Sequence, residues 1–187
     1  IGGAGGSSDG SELFEEGIRL MPMKFLKEGE PNQDVFDFIT ANVRVPSQVI
    51  GDIYAQVTAQ QVCAERLQEF LDDAQLDDLT GLSGALLERA DIAMRKAIEE
   101  VPDGTYRSVL DADGYDEDET HIECAVTVDG STLHIDYDGT SKQIARGLNS
   151  VMKYTYAYST YPVKCALDPD TPRNEGSYRS VTVSAPE

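Results

Sequence analysis

Basic residues are scarce in this chain. Fifteen lysines and arginines stand against 34 aspartates and glutamates, a formal net charge of −19 over 187 residues. Such a surface repels nucleic-acid phosphates and anionic lipid, and no basic stripe overrides it, so neither nucleic acid nor membrane is an expected partner. Long apolar runs are also missing, none approaching the roughly 20 residues that cross a bilayer. Cysteine is sparse and odd in number. Cys63, Cys124 and Cys165 lie far apart with no CxxC pair, which points to reduced, cytosolic usage rather than a disulfide framework. His121 and His134 are the only histidines, and no Cys or His stands at a metal-ligand spacing from them. There is no G-x-S-x-G nucleophile elbow. The glycine-rich stretch 1–12 lacks the lysine and hydroxyl close of a phosphate loop and reads as a loop or cut end. The acidic run 116–119 lacks the spaced ligands and closing glutamate of an EF-hand and reads as a solvated loop. Motifs alone therefore assemble no complete active site.

What is present is the composition of a globular chain, 40% hydrophobic and 26% charged, long enough for one domain with a core or two small ones. The acid is spread along the sequence, as in Asp72-Asp73 and Asp77-Asp78. A diffuse acidic surface with few lysines suits a high-salt cytoplasm, where self-repulsion is screened, or is that of an ordinary acidic domain. The chain opens at Ile1 without a methionine and is expected to be a piece of a longer protein.

The firmest local pattern is a β-hairpin. Ile122, Cys124, Val126 and Val128 alternate with polar residues, as do Leu133, Ile135 and Tyr137, the period of two half-buried strands. Asp129-Gly130 between them is turn chemistry, expected at both centres of a type I′ turn. Cys124 reads as a small core hydrophobe. The hairpin runs out into Asp138-Gly139-Thr140-Ser141, followed by an aromatic helical stretch over 147–167.

Upstream, Asp34–Thr40 has helical spacing. From Ser47, the expected N-cap, to about Asp73, Val49, Ile53, Val57, Ala64, Leu67 and Leu71 recur every three or four residues. Asp52 and Gln56 share a face one turn apart, and with Gln60 and Gln61 they form an amide-rich stripe, either a polar seam against another subunit or a site. A second helix is expected over Ser83–Glu100, with Leu86, Leu87, Ala90, Ala93, Met94 and Ala97 apolar, ending at Pro102-Asp103-Gly104. A short loop around Leu79–Leu82 makes the pair an antiparallel helical hairpin. Strands are expected at Thr105–Asp111 and Tyr178–Val183, with an exposed acidic loop over 113–119. The fold class is α+β, a long helical hairpin packed with a small antiparallel sheet containing a β-hairpin. Its organisation is a loop-rich leading segment 1–46, a helical hairpin 47–104, and antiparallel strands with a helix over 105–187, as one integrated domain.

Several phrases, in order and over nearly the whole chain, carry a resemblance: Ile1-Gly2-Gly3; Asn42-Val43-Arg44-Val45-Pro46; Gly51-Asp52-Ile53-Tyr54-Ala55-Gln56; Pro102-Asp103-Gly104; Asp136 to Ser141 with Gln143 and Asn149; and Pro172-Arg173-Asn174-Glu175-Gly176. Together they resemble the B-type component of the hydantoinase/oxoprolinase family (hydantoinase B), related to a subunit of acetone carboxylase. The resemblance implies a cytoplasmic, oligomeric enzyme with a hydantoinase A-type ATP-binding subunit as partner and a small cyclic amide or ketone as substrate. It implies ATP and a divalent metal in the full assembly, with the metal-associated His and Asp segment upstream of residue 1, so none is expected bound to this piece, which alone should be inactive. The positions it marks are Asp52, Gln56, Gln143 and Asn149 as catalytic, and Arg44, Thr140, Ser141 and Asn174 as substrate-binding, through hydrogen bonds to amide, carbonyl or phosphoryl groups. The implied reaction is hydrolysis of hydantoins, 5-oxoproline or similar rings. The alternatives are a ketone carboxylase subunit, or a structural and interface module in which the Gln-rich helix serves assembly.

Overall fold

A computed structural model describes residues 13–115, 118–145, 147 and 149–186; the glycine-rich leading stretch and the centre of the acidic run lie outside the described residues. The fold is α+β, four helices with a two-stranded hairpin and a four-stranded sheet. The chain divides into two compact units. The first holds the described residues up to Asp77 with Ala145 and Gly147, and the second holds the remainder from Asp78 onward.

In the first unit, a small hairpin pairs β1 (Leu26–Lys27) with β2 (Glu30–Pro31). The sequence pattern does not announce it, because the turn Glu28-Gly29 is the only signal and its strands are two residues each. Helix α1 (Gln33–Asn42) follows, ending where Asn42 Nδ2 donates to the Phe38 carbonyl. Helix α2 (Pro46–Ala74) is 29 residues long. Ser47 is not its N-cap: Val45 holds that place and Pro46 opens the helix, where the missing N–H costs nothing and the fixed φ is already helical. The far end closes with Gln75 left-handed at φ 54°, its amide and that of Leu76 donating to the carbonyls of Asp72 and Leu71. This is a Schellman closure without the usual glycine. Phe36, Ile39 and Ile53 form the core of this unit with Val35, and Phe25 packs on it, its ring 6.0 Å from that of Phe36.

The second unit opens with α3 (Thr80–Glu99), which starts three residues earlier than expected; Asp78 Oδ1 accepts from the Thr80 amide at 2.7 Å. Both long helices of the expected hairpin exist, and the boundary between the compact units falls between them. The buried face of α3 is Ala90, Met94 and Ile98, one residue every full turn, whereas Leu86 of the expected apolar side is 49% exposed. Strands β3 (Gly104–Tyr115) and β4 (Asp118–Asp129) pair antiparallel from Gly104↔Val128 to Ala112↔Thr120, and after a shift of register again at Tyr115↔Asp118. They run well into the stretch 113–119 that was expected to be loop, because pairing satisfies backbone groups that acidic side chains do not oppose on an exposed edge. Strand β5 (Thr132–Asp136) completes the Asp129-Gly130 hairpin, but with the turn one residue later than expected. Asp129 pairs with Thr132, leaving Gly130 and Ser131 as the two loop residues, and Gly130 alone has positive φ, 55°. That is the glycine-first arrangement of a type II′ turn. Asp103 Oδ1 accepts from the Gly130 amide at 2.8 Å.

Helix α4 (Met152–Leu167) begins five residues later than expected, and a 3-10 turn occupies Glu175–Tyr178, so the last strand, β6, is Val181–Ser184 rather than Tyr178–Val183. The sheet order is β3-β4-β5-β6, antiparallel except that β5 and β6 run parallel. Met94 and Ile98 of α3 pack with Val128, Leu133, Ile135 and Val181 of the sheet as the core, with Val163 and Leu167 of α4 against it. Cys124 lies half-buried on this side as expected, and burial pushes its thiol pKa up. All three cysteines are free.

Candidate functional site

The sheet places its chemistry on the face opposite the core. Strand alternation sends Leu133 and Ile135 inward, so His134 and Asp136 point outward. The parallel register sets Thr182 beside His134 and Ser184 beside Asp136. Ser184 Oγ donates to Asp136 Oδ1 at 2.6 Å and lies 3.2 Å from His134 Nε2, while His134 Nδ1 meets Thr182 Oγ1 at 2.8 Å. The Ser184 hydroxyl and the Asp138 amide hold the Asp136 carboxyl below the usual carboxylate range. With the Ser184 hydroxyl hydrogen directed at Asp136, the Ser184 oxygen is left as the acceptor toward His134 Nε2. A serine hydrolase relay has the imidazole between hydroxyl and carboxylate; here the serine is in the middle, so these three side chains form a hydrogen-bonded network and not a nucleophile with its base. On the same sheet Asp111 Oδ1 lies 2.6 Å from His121 Nδ1, and Arg107 reaches Glu123 at 3.4 Å.

Beyond β5, the edge of β4 is finished by the turn that follows. Thr140 Oγ1 donates to the Glu123 carbonyl and accepts from the Glu123 amide, each at 3.1 Å. Ser141 repeats the device on His121: its amide donates to the His121 carbonyl at 2.8 Å and its hydroxyl accepts from the His121 amide at 2.9 Å. Two hydroxyl side chains thus replace a neighbouring strand. Gly139, at φ +96°, makes the bend; a Cβ there would stand 2.6 Å from Glu123 Oε2. Tyr137 anchors the start of the turn, its hydroxyl 2.9 Å from Ser159 Oγ on α4.

Asn149 closes the next loop. Its Oδ1 accepts from the Ile144 amide at 2.9 Å and its Nδ2 donates to the Ile144 carbonyl at 2.6 Å. Gln143 sits exposed in the irregular stretch between these two fixed points. Asn174 Oδ1 accepts from the Gly176 amide, capping the 3-10 turn, and its Nδ2 donates to the Leu86 carbonyl of α3 at 3.1 Å. Gly176 is buried so closely under α3 that a Cβ would collide with the Leu87 carbonyl, its carbon only 2.7 Å away. Nearby, Lys164 and Asp168 pair at 3.0 Å almost wholly out of solvent, beside a hollow of about 390 Å³ that Tyr161 and Arg173 also line.

Arg44, Asp52 and Gln56 belong to the first unit, and the other five expected positions to the second. Gln56 lines an open groove of about 550 Å³ with Phe25, Leu26, Ile53, Val57 and Gln60. Asp52 and Arg44 are exposed. Within the second unit, Thr140, Ser141 and Asn149 hold one turn-and-loop that carries Gln143. The His134, Asp136, Thr182 and Ser184 network was missed, since polar residues two apart on each strand mark an outward face without saying that β5 and β6 are neighbours. Among the described residues, no group of three or more His, Cys, Asp and Glu side chains is placed to hold a metal ion. The described residues therefore offer no ligand set for a divalent metal, whose His- and Asp-bearing segment the resemblance puts upstream of residue 1.

A β-hairpin sheet with helices on one face and a hydroxyl-closed edge defines an α+β scaffold, and it is one with relatives. The Hydantoinase B/oxoprolinase family model matches residues 1–187, and the chain belongs to that family. It is 31% identical over 198 residues to a putative D-/L-hydantoinase of the B type from Pseudomonas sp. (strain NS671), covering 99% of this chain and 33% of that protein. It is 30% identical to the beta chain of the caprolactamase of Pseudomonas jessenii, covering 98% of this chain and 32% of that one. The crystal structure of the ATP-dependent caprolactamase from that organism matches 100% of this chain and 33% of its own chain, with a TM-score of 0.83 at 30% identity. A nucleotide-free acetone carboxylase shares the fold, with a TM-score of 0.79 at 15% identity over 97% of this chain and 26% of that one. The chain thus spans about a third of the length of these two Pseudomonas relatives. No helix among the described residues is long and apolar enough to cross a membrane.

Proposed function

We propose that this chain forms part of the B-type subunit of an ATP-dependent hydrolase that opens a cyclic amide, working with an A-type ATP-binding subunit. The observation that carries this reading is end-to-end similarity to an ATP-dependent caprolactamase, 30% identical with a TM-score of 0.83 over all of this chain. The ketone carboxylase alternative rests on 26% identity to the delta chain of an acetophenone carboxylase over 90% of this chain and on a fold likeness at 15% identity to an acetone carboxylase, both weaker than the caprolactamase match.

On this reading the side chains take two kinds of role. Thr140, Ser141, Asn149 and Asn174 position backbone, because each has its polar atoms engaged with main-chain groups. Gln143 and Arg44 are the substrate-facing candidates: an exposed primary amide pairs with a ring amide, and a guanidinium makes bidentate contact with a carboxylate or phosphoryl group. Gln56 remains a candidate at the groove of the first unit, and Asp52 one on the exposed surface of the same helix. No part of the reaction is assigned to a metal on this chain.

The test uses the subunit carrying this chain, purified with its ATP-binding partner, and follows ATP consumption with caprolactam, hydantoin, 5-oxoproline, or acetone with bicarbonate. ATP-dependent ring opening of any of the three cyclic amides supports the proposal. Turnover confined to the ketone, and dependent on bicarbonate, overturns it in favour of a carboxylase.

A further inference from the structure

Gln56 and Gln60 of α2 line the first unit's groove opposite an apolar wall of Phe25, Leu26, Ile53 and Val57. They stand one turn apart on a single helical face. Elsewhere on α1 and α2, amides are engaged within their own turns: Gln33 donates to Asp37 at 2.7 Å and Gln68 to Asp72 at 2.9 Å. The two groove carboxamides bond to nothing among the described residues. In the wall, Ile53 is buried and the other three are half-buried. No residue lining the groove is charged, in a chain of net charge −19. Lys24 and Lys27 flank Phe25 and Leu26 in sequence, yet neither they nor Arg44 line it. The hollow of the second unit is the opposite case, lined by Lys164, Asp170 and Arg173.

We infer that this groove receives the substrate ring and admits rings without charge, so that Gln56 and Gln60 set a preference for lactams and hydantoins over 5-oxoproline. The inference rests on the ring-opening reading above. A small cyclic amide is held cis, so its N–H and C=O lie on one edge. A primary carboxamide presents a donor and an acceptor in the same way, and two such edges close on each other through two hydrogen bonds. The pairing uses one lone pair of the ring carbonyl and leaves the other open. The remainder of a lactam ring is methylene, which the wall of Phe25, Leu26, Ile53 and Val57 takes out of water. 5-Oxoproline offers the same amide edge but carries a carboxylate. In the groove that charge meets no cation, and burying it unpaired costs far more than burying a methylene. The negative field of the whole chain adds to its exclusion. Charge therefore sorts the rings where size does not, since about 550 Å³ holds any of them.

Titration calorimetry on the intact subunit with its A-type partner, without ATP, gives the Kd of caprolactam, hydantoin and 5-oxoproline whether or not a ring is opened. At least one uncharged ring is expected to bind about tenfold or more tighter than 5-oxoproline, whose carboxylate goes unpaired. Gln60→Arg puts a cation in the groove and is expected to shift the ratio of the two affinities about tenfold or more toward 5-oxoproline, with the urea midpoint unchanged. No binding of either uncharged ring, equal binding of 5-oxoproline, or a ratio unmoved by Gln60→Arg would each overturn the inference. A lowered urea midpoint with the ratio unmoved would overturn it by showing the groove filled by the rest of the subunit. Absence of ring opening when ATP is added to the same preparation would instead overturn the reading beneath it, with the affinities still deciding the groove.

Discussion

Thr140 satisfies both backbone groups of Glu123 with a single hydroxyl, donating to the carbonyl and accepting from the amide at 3.1 Å each. The phrase Asp-Gly-Thr-Ser is therefore first a device for ending a sheet. It fixes where the loop bearing Gln143 begins, and Asn149 fixes where that loop returns.

Replacing Thr140 with Val keeps the shape and removes both bonds. Leaving a part-buried donor and acceptor unpaired costs about 1–3 kcal/mol, to be read from the urea midpoint at constant slope. Thr140→Ser retains the hydroxyl and should lose much less. Equal loss in both variants would mean that the methyl packing, not the hydrogen bonds, holds the turn.

How much of this is legible in the sequence differs by element. The β4–β5 hairpin and both long helices were legible, since alternation at 122–128 and 133–137 and the three-four spacing along 49–71 are local signals. The turn was placed one residue early because Asp-Gly is a stronger signal than Gly-Ser, while register is fixed by which side chains reach the core. The start of α4 was placed at 147 because the apolar spacing extends that far; tertiary use of Asn149 to clamp Ile144 overrides it. The parallel pairing of β6 with β5 joins residues about 50 apart, and no local pattern announces it. For the site, Thr140, Ser141, Asn149 and Asn174 were legible as positions, but their main-chain partners were not, because the same side chains that bind substrate also cap and clamp.

Gly176 and Asn174 form a second structural pair. Gly176→Ala pushes a methyl into the Leu87 carbonyl, backbone that a side-chain rotation cannot move, and should cost about 2 kcal/mol or more. Asn174→Ala removes a cap and the bond to Leu86, at about 1–2 kcal/mol. A thermal midpoint for Gly176→Ala equal to that of the unaltered chain would contradict the close approach.

Asp168 should govern part of the acid limb of stability. Burial raises its pKa, but hydrogen bonds from Thr171 and Lys164 and the Lys164 charge outweigh this and hold it below the ordinary value. A depressed carboxyl contributes stability that is fully present above the unfolded pKa, about 3.9, and is lost as pH falls through the folded one. Asp168→Asn should lower stability at neutral pH, leaving Lys164 buried without its partner, and flatten the decline below about pH 4. An unchanged acid limb in Asp168→Asn would show that other carboxylates dominate it.

Gln143→Ala separates binding from scaffold. It should leave the urea midpoint within about 0.5 kcal/mol, as for an exposed side chain away from packing, and lower kcat/KM of the assembled enzyme by about tenfold or more, the size of one lost hydrogen bond to an uncharged group. Stability lost together with activity would place Gln143 with the clamping residues instead.

The central claim is that this scaffold belongs to a B-type subunit acting in ATP-dependent opening of cyclic amides. Its most direct test is ring-opened product, measured by mass spectrometry, from the subunit and its A-type partner supplied with caprolactam, hydantoin or 5-oxoproline, with and without ATP. The account predicts product from at least one ring only when ATP and both subunits are present. Turnover confined to acetone with bicarbonate would contradict it.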